Sequence, residues 1–387
     1  MDALELLELI QKGETSTVQF KERLPEPYKL GTEMVAFSNT NGGVIIVGVN
    51  DKSGELNGLS FDELQAANQL LANVSSDHVK SPIYIITETV KIQEHHILVA
   101  TISEGLSKPH MDNKGMIWVK NGSDKRKVVA KEEIARLLQS SGNLFADETI
   151  VPSATSNDID KDFFETFIKS KTGKDIEELN LPLLQILENM GFSKDGSLTL
   201  GGVLLFGKNP QQFKPTFTIQ CISFVGNDIS STEYRDKPDP FTGKLSELFS
   251  QAISFINRNI KSIQVEDSFN SKPIPEIPKE TIEELLVNSI VHRDYFINST
   301  IKVFIFDNRI EIISPGSLPN TLSIENVKSG TSIPRNPIIF TNIRYLLPFV
   351  GVGSGIPRAL SKSPDLELVN DKDRELFVAT IKRPEDN

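Results

Sequence analysis

The stretch Thr281–Tyr295, TIEELLVNSIVHRDY, constrains the fold more than any other part of the chain. Ile282, Leu286 and Ile290 recur at four-residue steps, which predicts one buried face of a helix. Glu284, Asn288 and His292 recur at the same steps on another face, so a carboxylate, an amide and an imidazole share one side of an otherwise apolar element. That pattern describes a polar site carved into a buried helix. Further along stands Gly351-Val-Gly-Ser-Gly355. A carboxylate can activate water, an amide oxygen can hold a Mg²⁺ that keeps most of its waters, and glycine backbone can approach a triphosphate; the combination points to nucleotide chemistry.

A chain of 387 residues with 38% hydrophobic content can bury a sizeable core, and its length favours two or three domains. The single Cys221 excludes an intramolecular disulfide framework and a Cys-rich metal site, and suits a reducing compartment. His95-His96, the one histidine pair, reads as a surface hairpin position rather than a metal site. The N-terminal segment MDALELLELIQKG is acidic and amphipathic, unlike a signal peptide, and no apolar run approaches the ~18 residues that span a bilayer. A cytoplasmic location with no membrane partner is therefore expected. A net charge of −11 argues against a wholly basic nucleic-acid-coating surface but leaves room for local basic patches.

Periodicity predicts helices over residues 2–12, Leu30–Thr40, Phe61–Val74 and Lys131–Gln139, and strands over Val18–Lys21, Val44–Val49, Ile83–Ile92, His96–Ile102 and Met116–Lys120. This mixture makes the fold class α+β, with a first domain over 1–142. Ser140–Asp158, rich in small and polar residues, reads as a linker, assigned to 143–158; the second domain takes 159–387, with a motif core at 279–362. In that second domain a helical run covers Asp160–Met190, strand character covers Phe217–Val225, and helix character covers Leu245–Ile260. Ser271–Lys279, with three prolines, cannot be helical throughout. Ile301–Phe306 and Arg309–Ile313 flank a two-residue hairpin loop at Asp307-Asn308.

The order of Glu284-x-x-x-Asn288, His292-Arg-Asp-Tyr295, Arg309-Ile-Glu-Ile-Ile-Ser-Pro-Gly316, Gly330-Thr-Ser-Ile-Pro-Arg-Asn336 and Gly351-x-Gly-x-Gly355 resembles the Bergerat-type GHKL ATPases, in the divergent branch that includes helicase C-terminal domains. The resemblance implies an α/β sandwich that binds ATP with Mg²⁺. On it, Glu284 polarises the attacking water, Asn288 ligates Mg²⁺, and Gly351, Gly353 and Gly355 let a lid and a helix N-terminus wrap the phosphates. Arg335 supplies positive charge, and His292, Ser314, Gly316 and Asn336 complete the implied ATP site. Where the best-known members hold adenine with the Asp of an Asp-x-Gly-x-Gly box, Ser314-Pro-Gly316 stands here, so base preference stays open. His292 reads equally well as a core histidine.

Glu14 to Lys21, Ala36 to Asp51 through Gly42-Gly43, and Ile117-Trp-Val-Lys-Asn-Gly-Ser123 resemble the Schlafen AlbA-like domain over about residues 10–140. Members bind nucleic acid, and Schlafen-type members cleave RNA at a metal held by two glutamates and an aspartate. The matching positions here are Glu14, Gln19 and Asp51. An amide in place of a carboxylate removes a full charge from a hard-cation site, which demotes nuclease activity. Lys21, Lys120, Lys125, Arg126 and Lys127 are the candidates for contact with DNA or RNA phosphates, near Trp118, which reads either as a base-stacking residue or as core.

Together the two resemblances imply an ATP-dependent nucleic-acid-binding protein, a homodimer of transcriptional-regulator type with slow ATP hydrolysis. Two alternatives are a metal-dependent RNA-cleaving effector gated by ATP, and a nucleotide sensor that acts through a protein partner without turnover.

Overall fold

The computed structural model describes residues 1–263, 274–319, 322–349, 351 and 353–384. The chain forms two compact units, Met1–Leu144 and Phe145–Asn387. Ser271, Lys272 and Pro273 of the proline-rich stretch, and Val352 of the glycine motif, lie outside the described residues.

The first unit is built on a four-stranded sheet ordered Val18–Lys21, Gly43–Val47, His95–Ile102, Ile85–Ile92. The first two strands are parallel, joined by the helix Pro27–Asn39, and the other pairings are antiparallel. The apolar run of the Gly43–Val47 strand follows from burial on both faces. Ile45 and Val47 pack with Leu30, Met34 and Phe37 of the crossover helix, whereas Ile46 packs with Phe20, Val99 and Leu6, the last from the helix Ala3–Lys12. Trp118–Asn121 does not extend this sheet. It pairs with Asp124–Lys127 in a separate hairpin, because Gly122-Ser123 turns the chain back on itself.

In the second unit, the predicted linker is part of the fold. Ile150–Thr155 is a strand paired with Ser197–Thr199, and Ala146, Val151, Ala154 and Ile159 enter the core while Ser153, Thr155 and Asn157 face outward. The predicted helical run over Asp160–Met190 breaks at Gly173, which takes a left-handed conformation, leaving the helices Lys161–Thr172 and Leu183–Asn189. A six-stranded sheet follows, ordered Tyr234–Asp236, Ile219–Phe224, Ile301–Ile305, Arg309–Pro315, Leu376–Lys382, Glu367–Asp371. Ile219–Phe224 and Ile301–Ile305 run parallel, and the crossover between them contains the helices Leu245–Asn259 and Lys279–Val291. Lys279–Val291 packs against the Arg309–Pro315 strand and the helix Gly355–Lys362. Ile282, Leu286 and Ile290 are sealed in the core, as their spacing predicts. This is the α+β architecture read from the sequence.

Gly42 is a tight backbone junction at the edge of the first sheet. Its φ of +70° is left-handed, and a Cβ there would stand 2.7 Å from the Ile102 carbonyl oxygen and 2.8 Å from the Glu104 nitrogen. Gly42→Ala is expected to cost about 1–3 kcal/mol through strain alone. The check is a urea titration of the full chain followed by fluorescence of Trp118, which lies in the same unit; an unchanged midpoint contradicts it.

Candidate functional site

A pocket lies between the Lys279–Val291 helix, the strands Arg309–Pro315 and Leu376–Lys382, and the loops that carry Ser317–Pro319, Thr331–Arg335 and Gly351–Gly355. Glu284, Asn288, His292, Ser314, Gly316, Arg335, Gly351, Gly353 and Gly355 all line it. Residues far apart in sequence are thus brought to one cavity. Its apolar walls include Leu285, Ile312, Leu322, Phe349 and Phe377.

Glu284 is almost wholly buried, 8% exposed, and both its carboxylate oxygens are engaged. Asn288 Nδ2 donates to Oε1 at 2.7 Å and also to the Glu284 carbonyl at 2.7 Å; Arg358 Nη2 donates to Oε2 at 3.2 Å. The Asn288 amide nitrogen is therefore committed to the helix, and its oxygen is what it has to offer a cation. One side-chain oxygen suits Mg²⁺ that draws its remaining ligands from phosphate and water. Among the described residues no group of three or more His, Cys, Asp or Glu side chains could hold a metal ion.

The glycine-rich turn fits a phosphate cradle for steric reasons. Gly351 and Gly353 have φ of +74° and +76°, and a Cβ at Gly353 would overlap the Gly330 carbonyl. Gly355 opens the helix Gly355–Lys362, and a Cβ there would overlap the Glu284 carboxylate. The helix start carries the backbone N–H groups of Gly355 and Ile356, Pro357 having none, on the side where an anion is favoured. Ser314 lies on the same strand face as Ile310 and Ile312; its hydroxyl donates to the Ser289 carbonyl at 3.0 Å and keeps its lone pairs as acceptors.

Arg335 is held rather than free. Its Nη2 donates to the Ser317 carbonyl at 2.6 Å and its Nη1 lies 3.8 Å from Asp294. Burial pulls its pKa down against the charges of Asp294 and Glu375. His292 caps the end of the helix, with its ring edge-on to Phe340 at 5.8 Å; burial, aided by the Arg335 charge, lowers its pKa to about 4. It is thus a neutral imidazole. Asn336 does not line the pocket: its buried amide donates to the carbonyls of Val291 and Arg293, both at 2.9 Å, bracing the helix end. Sequence reasoning missed Arg358, whose only signal was its position one turn after Gly355 on the same helix.

In the first unit, Glu14 Oε1 accepts from Gln19 Nε2 at 2.9 Å and from the Phe20 nitrogen at 2.7 Å. Gln19 Oε1 accepts from Lys120 Nζ at 2.8 Å, and the same ammonium donates to Glu33 at 2.9 Å and the Ser123 carbonyl at 2.6 Å. An internal lysine occupies the acceptors that a hard cation would use. Asp51 is exposed on a turn. Burial works to raise the Glu33 pKa, but its bonds to Lys125 and Lys120 hold it below the usual carboxylate range. Lys120 is consequently a core residue, not a surface cation. Arg126 is turned to Glu133 in a two-pronged pair. Lys21, Lys29, Lys125 and Lys127 line one pocket with Tyr28 and Trp118. Trp118 donates its indole N–H to the buried Asp112 at 3.0 Å, and Lys127 Nζ lies 5.3 Å from its ring centre.

Residues 14–129 match the family described as "Schlafen, AlbA_2", and residues 298–375 match the one described as "Putative ATP-dependent DNA helicase recG C-terminal". The helix that carries Glu284 and Asn288 lies outside the second match. No curated protein matches the chain. Among solved structures, the DIP2311 protein from Corynebacterium diphtheriae aligns at 21% identity with a TM-score of 0.48, covering 99% of this chain and 80% of that one. The N-terminal domain of a "Putative ATP-dependent DNA Helicase RecG-related Protein" from Nitrosomonas europaea aligns at 18% identity with a TM-score of 0.26, covering 34% of this chain and 96% of that one. An AlbA_2-like region is therefore followed by one like the RecG C-terminal region, similarities that support nucleic-acid association and ATP binding. Among the described residues no helix is long and apolar enough to cross a membrane.

Two buried groups of the second unit give its stability opposite pH dependences. His292, with its pKa near 4, stays neutral in the folded state, so protonation of the unfolded chain removes stability as pH falls from about 6.5 towards 4. Asp147 is pushed up to about 7 by burial, against hydrogen bonds from the Ile339 and Ile338 backbone, so the fold gains a proton and stability over the same range. Asp147→Asn removes the second effect. Wild type is expected to gain on the variant by about 1.4 kcal/mol per pH unit as pH falls from 7 towards 4. Hydrogen exchange in the Lys279–Val291 helix reads this difference, and a pH-independent gap refutes it.

Proposed function

We propose that this chain is an ATP-dependent nucleic-acid-binding protein, with Mg²⁺–ATP held in the pocket beside the Lys279–Val291 helix and nucleic acid held at the lysine-lined pocket of the first unit. The observation that carries the nucleotide half is the meeting of Glu284, Asn288 and the Gly351–Gly355 turn in one cavity. Asn288 would offer its side-chain oxygen to Mg²⁺, which when bound neutralises phosphate charge. Glu284 would accept a proton from water attacking the terminal phosphorus, as the bond to the bridging oxygen breaks and ADP leaves with that oxygen. The apolar walls and the Ser314 hydroxyl suit a planar base at the inner end of the pocket. Homodimer formation and a role in transcription belong to the same proposal through the resemblance to GHKL proteins and regulators.

The RNA-cleaving alternative is disfavoured by the Lys120 ammonium, which is bonded to Gln19 and Glu33. A nuclease here would first have to displace an internal cation.

Equilibrium binding of ATP in the presence of Mg²⁺, followed by phosphate release, tests the nucleotide half. Glu284→Gln is expected to keep ATP binding and to lose at least 100-fold in hydrolysis, in line with removal of a general base, while Asn288→Ala loses the Mg²⁺ dependence of binding. Wild type that binds no ATP at millimolar concentration refutes the reading.

For the nucleic-acid half, Lys21→Ala and Lys127→Ala should each lower the slope of log affinity against log salt by about one. Unchanged slopes in both variants would remove the lysine pocket as the contact surface.

A further inference from the structure

Arg358 is the one cation that reaches the Glu284 carboxylate in this pocket among the described residues. Its Nη2 lies 3.2 Å from Glu284 Oε2, yet its side chain is 56% exposed whereas that of Glu284 is 10% exposed. The pair is therefore asymmetric. The carboxylate is fixed by Asn288 and by the walls around it, and the guanidinium side chain is more than half exposed. An ion pair with one solvated partner is weakly held and easily exchanged. Arg358 also sits in the first turn of the helix that begins at Gly355, beside the backbone that would meet an anion, and it lines the pocket with Gly351, Gly353 and Ser354.

A terminal phosphate entering this end of the pocket meets the Glu284 carboxylate as a like charge and Arg358 as its neutraliser. Phosphate presents more charge than a carboxylate and matches the guanidinium fork in geometry. Arg335, by contrast, is a mostly buried cation already engaged by the Ser317 carbonyl and paired with Asp294. Resting on the nucleotide reading above, we propose that Arg358 is the residue that tells a nucleoside triphosphate from a diphosphate, exchanging Glu284 for the terminal phosphate. In exchanging, it uncovers the Glu284 oxygen that faces it. Arg358 is thus a specificity residue in direct contact with the substrate's last phosphate, and Glu284 is a competitor for it.

The experiment is calorimetric titration of ATP and of ADP, with Mg²⁺, into the full chain as wild type, Arg358→Gln, Arg358→Lys and Glu284→Gln. Arg358→Gln should weaken ATP about ten-fold or more, the size of one charge-assisted hydrogen bond, and change ADP less than about two-fold. Arg358→Lys should recover part of the ATP preference. Glu284→Gln, which removes the competing charge, should tighten ATP more than ADP. Arg358 is exposed, so loss of folding is not expected, and circular dichroism of the variants checks it. Equal weakening of ATP and ADP by Arg358→Gln, or no effect on either, overturns the inference while leaving the nucleotide site standing. Wild type that binds neither nucleotide overturns the site and the inference together.

Discussion

The second unit depends on satisfying one buried carboxylate. Ile282, Leu285, Leu286 and Ile290 fix the Lys279–Val291 helix in the core, and in doing so they carry Glu284 out of water. A carboxylate in that position costs several kcal/mol unless it is hydrogen-bonded. Asn288, one helical turn on, supplies one donor from the same element. The second comes from Arg358, and its helix can approach only because residue 355 is glycine, where any Cβ would overlap the carboxylate. The approach of the two helices, the glycine at 355 and the polar end of the cavity thus all meet at the Glu284 carboxylate.

The first unit answers the same requirement in another way. Glu33 and Gln19 lie within the fold, and the Lys120 ammonium joins one oxygen of each to the Ser123 carbonyl, while Lys125 takes the other Glu33 oxygen and Glu14 the Gln19 amide nitrogen. Cations that look alike in a basic run thus divide by environment. Lys120 is structural, Arg126 is neutralised by Glu133, and Lys21, Lys29, Lys125 and Lys127 gather around Tyr28 and Trp118. Trp118 is held by Asp112 through its indole nitrogen, so both of its readings meet in one residue: its edge belongs to the framework and its ring lines the pocket.

Much of the site was legible because helical spacing is rigid. Glu284 and Asn288 at four residues apart must be neighbours, and glycines at alternate positions must form a turn free of side chains. The reading of Ser140–Asp158 as a linker failed for the opposite reason. A strand with an irregular register that buries only Val151 and Ala154 leaves Ser153 and Thr155 exposed, and composition averages them into a polar segment. Asn336 shared a motif with Arg335 but turns its amide to the carbonyls of Val291 and Arg293, a contact between distant segments that no local pattern encodes.

The sequence by itself determined which helix is buried, which of its faces is polar, and where the backbone must be free of Cβ atoms, since these follow from periodicity and residue volume. Only the tertiary structure decided that Arg358 meets Glu284, that Lys120 is internal, and that His292 is a neutral imidazole beside Arg335. Those outcomes depend on which charges are brought together and how much water is excluded around them, and both are set by the packing of segments far apart in the chain.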